Sequence, residues 1–257
     1  MSGGGGAGSS PGGRDPGPAS GGDSGRWQDA ESEFRQPVLA LALATGVAGY
    51  VDAFSLLRYG VFVANQSGSL IHLGMGLAGH FPVWPAALAS IIGFGLGGGL
   101  AHLLRRRVES HRRAPPGPQL SVVIGVVLLW AGLEQALAVR QFGLAQRVPL
   151  AAVGAVGMGM LAVLFVRTAG VKTTTTYQSG TVLNTGENFV NWLLRSDRHR
   201  PSSRRWLLGF VGTGCYAAGG GLGALVTPWP VGVFVGAVVG LVVLLAIVRS
   251  PRFGMVD

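Results

Sequence analysis

Six apolar windows of about helix-spanning length run through the chain, at roughly 38–57, 84–104, 119–139, 149–166, 206–226 and 229–248. A bilayer core of about 30 Å is crossed by about 20 helical residues, so each window predicts a transmembrane helix. Two further stretches, 60–80 and 170–194, are less apolar and hold clusters of Asn, Gln, Ser, Thr and Gly. Length alone leaves open whether these two cross. Residues 1–36 are Gly, Ser, Pro, Asp and Arg with almost nothing apolar, and they predict a disordered tail. No basic segment leads there into a short apolar run with a cleavage site, so the first span is expected to act as its own targeting signal.

Composition agrees with the pattern. Hydrophobic residues make up 48% and charged residues 12% of 257, with a mean hydropathy of +0.44. Soluble domains carry about 25% charged residues, so a soluble globule is excluded. One cysteine, Cys215, rules out an internal disulfide, and no zinc spacing occurs. The net charge of +9 raises nucleic acid as a partner, but the basic residues lie in short blocks between apolar runs rather than on one face. That placement predicts a lipid bilayer as the partner and no nucleic acid.

The basic residues also resolve the two ambiguous stretches. With six spans and a cytoplasmic N-terminus, all of the 20 Lys and Arg fall inside except Arg58, Arg140 and Arg147. If both ambiguous stretches crossed, the blocks at 105–113 and 195–205 would land on opposite sides. Six spans, with both termini cytoplasmic in the inner membrane and both stretches re-entrant or peripheral, is the expected topology.

The chain also repeats itself. Gln66-Ser67-Gly68-Ser69-Leu70-Ile71-His72-Leu73-Gly74 returns 112 residues later as Gln178-Ser179-Gly180-Thr181-Val182-Leu183-Asn184-Thr185-Gly186, with four of nine positions identical. Each copy follows one apolar span and precedes two. Three spans per half is an odd number, so the halves enter the membrane from opposite sides, as in inverted-repeat secondary transporters. The expected fold class is therefore all-α integral membrane: six transmembrane helices as two inverted three-helix repeats, at 37–139 and 149–248. Each half would carry an interrupted segment, an extended strand followed by a half-helix.

The extended part rests on Val61-Phe62-Val63-Ala64 and on 173–177, which are rich in β-branched and aromatic residues. Ser67 and Ser179 are then expected as N-caps. Non-helical backbone is tolerated at membrane depth only inside protein or beside a water-filled cavity, and helix N-termini suit an anion or carboxylate. This predicts a substrate site for a small solute, anionic by that chemistry, lined by Asp52, Asn65, Gln66, Ser67, Gly68, His72, Gln178, Ser179, Gly180, Thr181 and Asn184.

The run Gly46-Val47-Ala48-Gly49-Tyr50-Val51-Asp52-Ala53-Phe54-Ser55, with Gly60-Val61-Phe62-Val63-Ala64-Asn65-Gln66-Ser67-Gly68, resembles the signature of the YoaK-like family of bacterial multi-span membrane proteins. Thr174-Thr175-Thr176-Tyr177-Gln178-Ser179-Gly180-Thr181 is similar to that family's second signature, and the resemblance covers about 37–248. It implies six spans in a cytoplasmic membrane and no assigned activity. The chain departs from the family at Ser67-Gly68-Ser69, where Thr-Gly-Asn is usual, and at Ala162, near which an Asn is usual.

Asp52 and Glu134 are the acids inside spans, where a charge costs ~2.5 to 3.5 kcal/mol or more at the bilayer centre. Each is either a proton or cation site, or a group hydrated or hydrogen-bonded in the outer third of its span. His72 and Asn184 occupy equivalent positions in the two copies and either line a cavity or sit in hydrogen-bonded packing. Glu187 is expected to be solvated and His102 interfacial. Gly95 and Gly99, Gly219 and Gly223, and Gly232, Gly236 and Gly240 form small-residue stripes for close helix approach, the last of them within the chain or across a homodimer. No Gly-x-Ser-x-Gly, Walker loop, His-Glu-x-x-His or dinucleotide fingerprint occurs, so neither an enzyme nor a cofactor is expected. The functional expectation is a secondary transporter or permease, and its alternative is a membrane scaffold or regulatory subunit.

Overall fold

The computed structural model describes residues 37–109, 117–137, 143–165, 178–193 and 201–249. Eight helices run through them in order: α1 (Pro37–Tyr59), α2 (Gln66–Leu77), α3 (Trp84–Glu109), α4 (Gly117–Leu137), α5 (Leu144–Phe165), α6 (Gln178–Leu193), α7 (Pro201–Val226) and α8 (Pro230–Arg249). Six of them contain a stretch long and apolar enough to cross a membrane. The exceptions are α2 and α6, at 12 and 16 residues. At 1.5 Å per residue α2 is about 18 Å long, short of a bilayer core.

The boundaries move where local chemistry extends a helix past its apolar window. Arg105, Arg106 and Arg107 continue α3 to Glu109, since long straight side chains are good helix formers and polarity does not end a helix. At the start of α5 the helix runs from Leu144 through Pro149, and the Gly143 carbonyl accepts the N–H groups of Gln146 and Arg147. Arg147 is thus a helical residue and not part of a loop. Pro201 opens α7, a position where proline's missing N–H costs nothing.

The bundle is organised by which helices touch. The long crossings are α1 on α7 and α3 on α5. Each short helix lies on the helix that follows it, α2 on α3 and α6 on α7, while α4 packs on α5 and α8 on α1. The central pair is α1 and α5, each 61% buried along its apolar window against 22–33% for the other four long helices.

Glycine makes the two long crossings possible. A Cβ on Gly93, Gly97 or Gly159 would strike the backbone of Ala152, Val156 or Phe94 across the α3–α5 crossing. Across α1–α7, Gly49, Gly219 and Gly223 stand in the same way against the backbones of Tyr216, Gly46 and Tyr50. The Gly219 and Gly223 expectation is met. The expectation for Gly95 and Gly99 is corrected: both face open space, because two residues' displacement along a helix turns the side chain by about 200°. Gly236 and Gly240 face the Tyr50 hydroxyl and the Val47 side chain of α1, so these two serve close approach within the chain, while Gly232 lies beside Val226 and Trp229.

At one end of the bundle the core is aromatic. Phe54, Tyr59, Trp130 and Phe234 are all buried, and their edge-to-face contacts have centroids 5.1–6.1 Å apart. Trp130 lies against Gly154 of α5, where a methyl group would meet the indole.

Candidate functional site

The site grows from the end of α1. Gly60 takes φ +81 and its N–H returns to the Leu56 carbonyl, so the chain turns sharply off the helix. The next residues are not helical, and Asp52, seven residues back along α1, gathers them. Its Oδ1 accepts the backbone N–H groups of Val63 (2.8 Å) and Ala64 (2.7 Å), and its Oδ2 accepts that of Asn65 (2.8 Å). The Tyr216 hydroxyl of α7 donates to the same Oδ2 at 2.5 Å. Asp52 is 1% exposed, so four protein donors replace its water.

Three consecutive N–H groups on one carboxylate require a curled backbone. In a strand they would point to alternate sides. The expected extended strand at Val61–Ala64 is therefore replaced by a bend, and no strand occurs among the described residues. The signal from β-branched residues reflected burial: Val61, Val63 and Ala64 are all fully buried.

A second anchor holds the loop from the other side. The Phe62 carbonyl accepts the hydroxyls of Ser90 (2.6 Å) on α3 and Ser69 (2.8 Å) on α2. Gln66 donates through Nε2 to the Val63 carbonyl at 3.0 Å and lies 3.4 Å from Ser90 Oγ, while its Oε1 is buried without a hydrogen-bond partner.

The cap of α2 differs from the expected one. Asn65, not Ser67, is the N-cap, and its Oδ1 accepts the Gly68 N–H. Ser67 lies one residue too far into the helix and instead donates its hydroxyl to Asn65 Oδ1 at 2.7 Å. Asparagine caps as well as serine, so the sequence held two equivalent candidates two residues apart.

Gly68 makes room for Phe62, whose ring fills the space a side chain would take. The same ring stacks on His72 at 5.8 Å, and Phe81 stacks on that imidazole at 4.4 Å. His72 Nδ1 is buried and has no hydrogen-bond partner. Asp52, Asn65, Gln66, Ser67, Gly68 and His72 are thus brought together around one loop.

In the second copy, Gln178, Ser179, Gly180 and Thr181 form the first turn of α6 and Asn184 the next. Their side chains, and residues 173–177 before them, lie outside the described residues. The body of α6 sits on α7 through Thr185 against Gly209 and Phe189 edge-on to Trp206 at 5.8 Å.

Glu134 is fully buried at the aromatic end of the bundle, 3.0 Å from Arg58 Nε and 2.7 Å from the Tyr59 hydroxyl. Of hydration or hydrogen bonding, the two alternatives to a proton or cation site, the structure shows hydrogen bonding for both acids: protein donors satisfy them. Tyr216, Ser90, Ser69 and Arg58 belong to these networks and were not among the expected site residues. Tyr216 and Ser90 showed only a polar atom inside an apolar window, which serines and tyrosines in helices commonly show; Ser69 stood in the first repeat copy and Arg58 just past the first window. Among the described residues no group of His, Cys, Asp and Glu is arranged to hold a metal ion.

The arrangement defines a polytopic helical membrane protein with a pinned, non-helical loop before a short helix. The family model described as protein of unknown function (DUF1275) matches residues 40–248, and the chain belongs to that family. No curated protein and no solved structure matches it.

Proposed function

We propose that the chain is a secondary transporter or permease for a small solute, built from two halves of opposite orientation at 37–139 and 149–248. Both termini are cytoplasmic in this reading and the membrane is the inner one; residues 1–36, expected from the sequence as a disordered tail, lie outside the described residues. The YoaK-like resemblance is consistent with the family match. The chain carries no catalytic activity, binds no nucleic acid, and holds its solute between the first copy at 65–72 and the second at 178–184.

The observation that carries this reading is the helix contact pattern. Exchanging α1 with α5, α2 with α6, α3 with α7 and α4 with α8 turns every major contact into another one that is present. The glycine crossings exchange in the same way, Gly93 and Gly97 with Gly219 and Gly223. A duplicated unit in opposite orientation accounts for both.

Depth supports an interrupted segment in the first half. Asp52 lies seven residues before the end of α1 and Ser90 six residues after the start of α3, so each is about 10 Å in from its helix end. Both hold the 60–65 loop, so that loop dips to their level and α2 leads back out. Backbone off the helix at such depth belongs beside a solute path.

The scaffold reading has its own support. Asp52 is fully satisfied by protein donors, and Phe62 covers Gly68. A solute screen by thermal shift on purified protein, followed by uptake into proteoliposomes, separates the two. Transport predicts at least one stabilising solute that is also taken up against empty-liposome controls. Stabilisation with no uptake would leave a binding scaffold, and no stabilising solute would remove the transport reading.

A further inference from the structure

We propose that Arg147 anchors a binding site for a phosphate-type oxyanion at the end of the bundle where α1 gives way to the 60–65 loop. This site is independent of the transport reading. Arg147 sits in the first turn of α5, and a Cβ placed on Gly60 would lie 3.8 Å from its Nη1, so the guanidinium lies against the turn that starts the loop. Its Nε is buried and has no hydrogen-bond partner, and neither has the Oε1 of the adjacent Gln146.

Among the described residues no acid is paired with Arg147. From residue 37 to 165 the sequence holds Asp52, Glu109 and Glu134 only. Asp52 is bonded to the loop and Tyr216, Glu134 to Arg58 and Tyr59, and Glu109 closes the opposite end of α3. Arg58, two residues before Gly60, adds a second guanidinium, but Glu134 matches its charge. Among the described residues, Arg147 therefore brings a positive charge with an unused donor to this end of an apolar bundle.

A guanidinium offers parallel N–H groups that fit a phosphate oxygen pair, and the oxyanion supplies both the missing charge and the missing acceptor. Free phosphate and a phospholipid headgroup share this chemistry. Either ligand, seated beside Gly60, would touch the turn that precedes the Asp52-pinned loop.

The test uses the full-length protein in neutral detergent, with its thermal midpoint followed by tryptophan fluorescence against inorganic phosphate at constant ionic strength, chloride replacing phosphate. A second arm compares nanodiscs of phosphatidylcholine with discs containing phosphatidylglycerol. The site predicts a saturable rise in midpoint in one arm. Arg147→Gln should raise the half-saturating concentration at least tenfold, and Arg147→Lys, which keeps the charge but loses the fork, should raise it less. Response to free phosphate assigns the soluble source; response to phosphatidylglycerol alone assigns the headgroup. Should Arg147→Gln fail to fold, Arg147→Lys decides, and an affinity equal to wild type would then overturn the site. So would the absence of a saturable response in both arms, or an equal response in wild type and Arg147→Gln.

Discussion

Replacing Asp52 by Asn changes one atom and removes one charge, and the geometry around the carboxylate predicts a measurable loss of stability. Two donors converge on each oxygen: Val63 and Ala64 N–H on Oδ1, Asn65 N–H and Tyr216 O–H on Oδ2. An amide offers one oxygen and one NH₂ group. With its NH₂ toward Val63 and Ala64 it strands both N–H groups; with its NH₂ toward Tyr216, whose hydroxyl can reverse and accept, it strands the Asn65 N–H alone. An unsatisfied buried donor costs about 1–3 kcal/mol, so the better orientation loses about that much. Relief of the buried charge offsets part of it, leaving on the order of 1–2 kcal/mol. For a domain of this size 1 kcal/mol moves a melting midpoint by about 2–4 °C, so a fall of roughly 2–8 °C is expected. The assay is tryptophan-monitored unfolding of wild type and Asp52→Asn in the same detergent. Tyr216→Phe alone should cost less, because it removes one donor and strands none. An Asp52→Asn midpoint equal to wild type would refute the reasoning, since the loop would then be held by something other than the carboxylate.

Other expectations follow from the same contacts. Gly97→Ala and Gly219→Ala place a methyl against the backbone of a neighbouring helix and should reduce the monodisperse fraction in size-exclusion chromatography, while Gly95→Ala and Gly99→Ala point into open space and should elute as wild type. Arg58→Gln leaves Glu134 buried without its ion-pair partner and should destabilise by about 3–5 kcal/mol, more than Glu134→Gln, which removes the buried charge itself. The order of their melting midpoints checks this. Trp130→Ala opens a cavity against Phe54, Phe234 and Gly154 and should cost about 3–5 kcal/mol, read as a lower midpoint.

The spans were legible because bilayer thickness writes itself into sequence as apolar length. All six long helices coincide with apolar windows, and boundaries moved most where Arg105–Arg107, Leu144–Val148 or Pro201–Arg205 extended a helix beyond the hydrocarbon-like stretch. Asp52 stood out because an acid in an apolar window is costly and needs partners. Its partners did not stand out: backbone N–H groups carry no residue signature, and Tyr216 lies 164 positions away. The register of the glycine crossings was half legible, since both Gly93-x₃-Gly97 and Gly95-x₃-Gly99 present small residues one turn apart and only packing selects between them. The bend at 60–65 was misread as extended because β-branched residues report burial as readily as strand.

The opposite orientation of the two halves is tested most directly by thiol accessibility in intact cells. With Cys215 replaced by Ser, single cysteines at Pro82 and Ala145 should react with a membrane-impermeant reagent from outside, while cysteines at Ser110 and Ser196 should react only after permeabilisation. Labelling of the Ser110 position from outside would contradict the cytoplasmic termini, and labelling of Ser110 and Ser196 from opposite sides would contradict two inverted halves of three spans each.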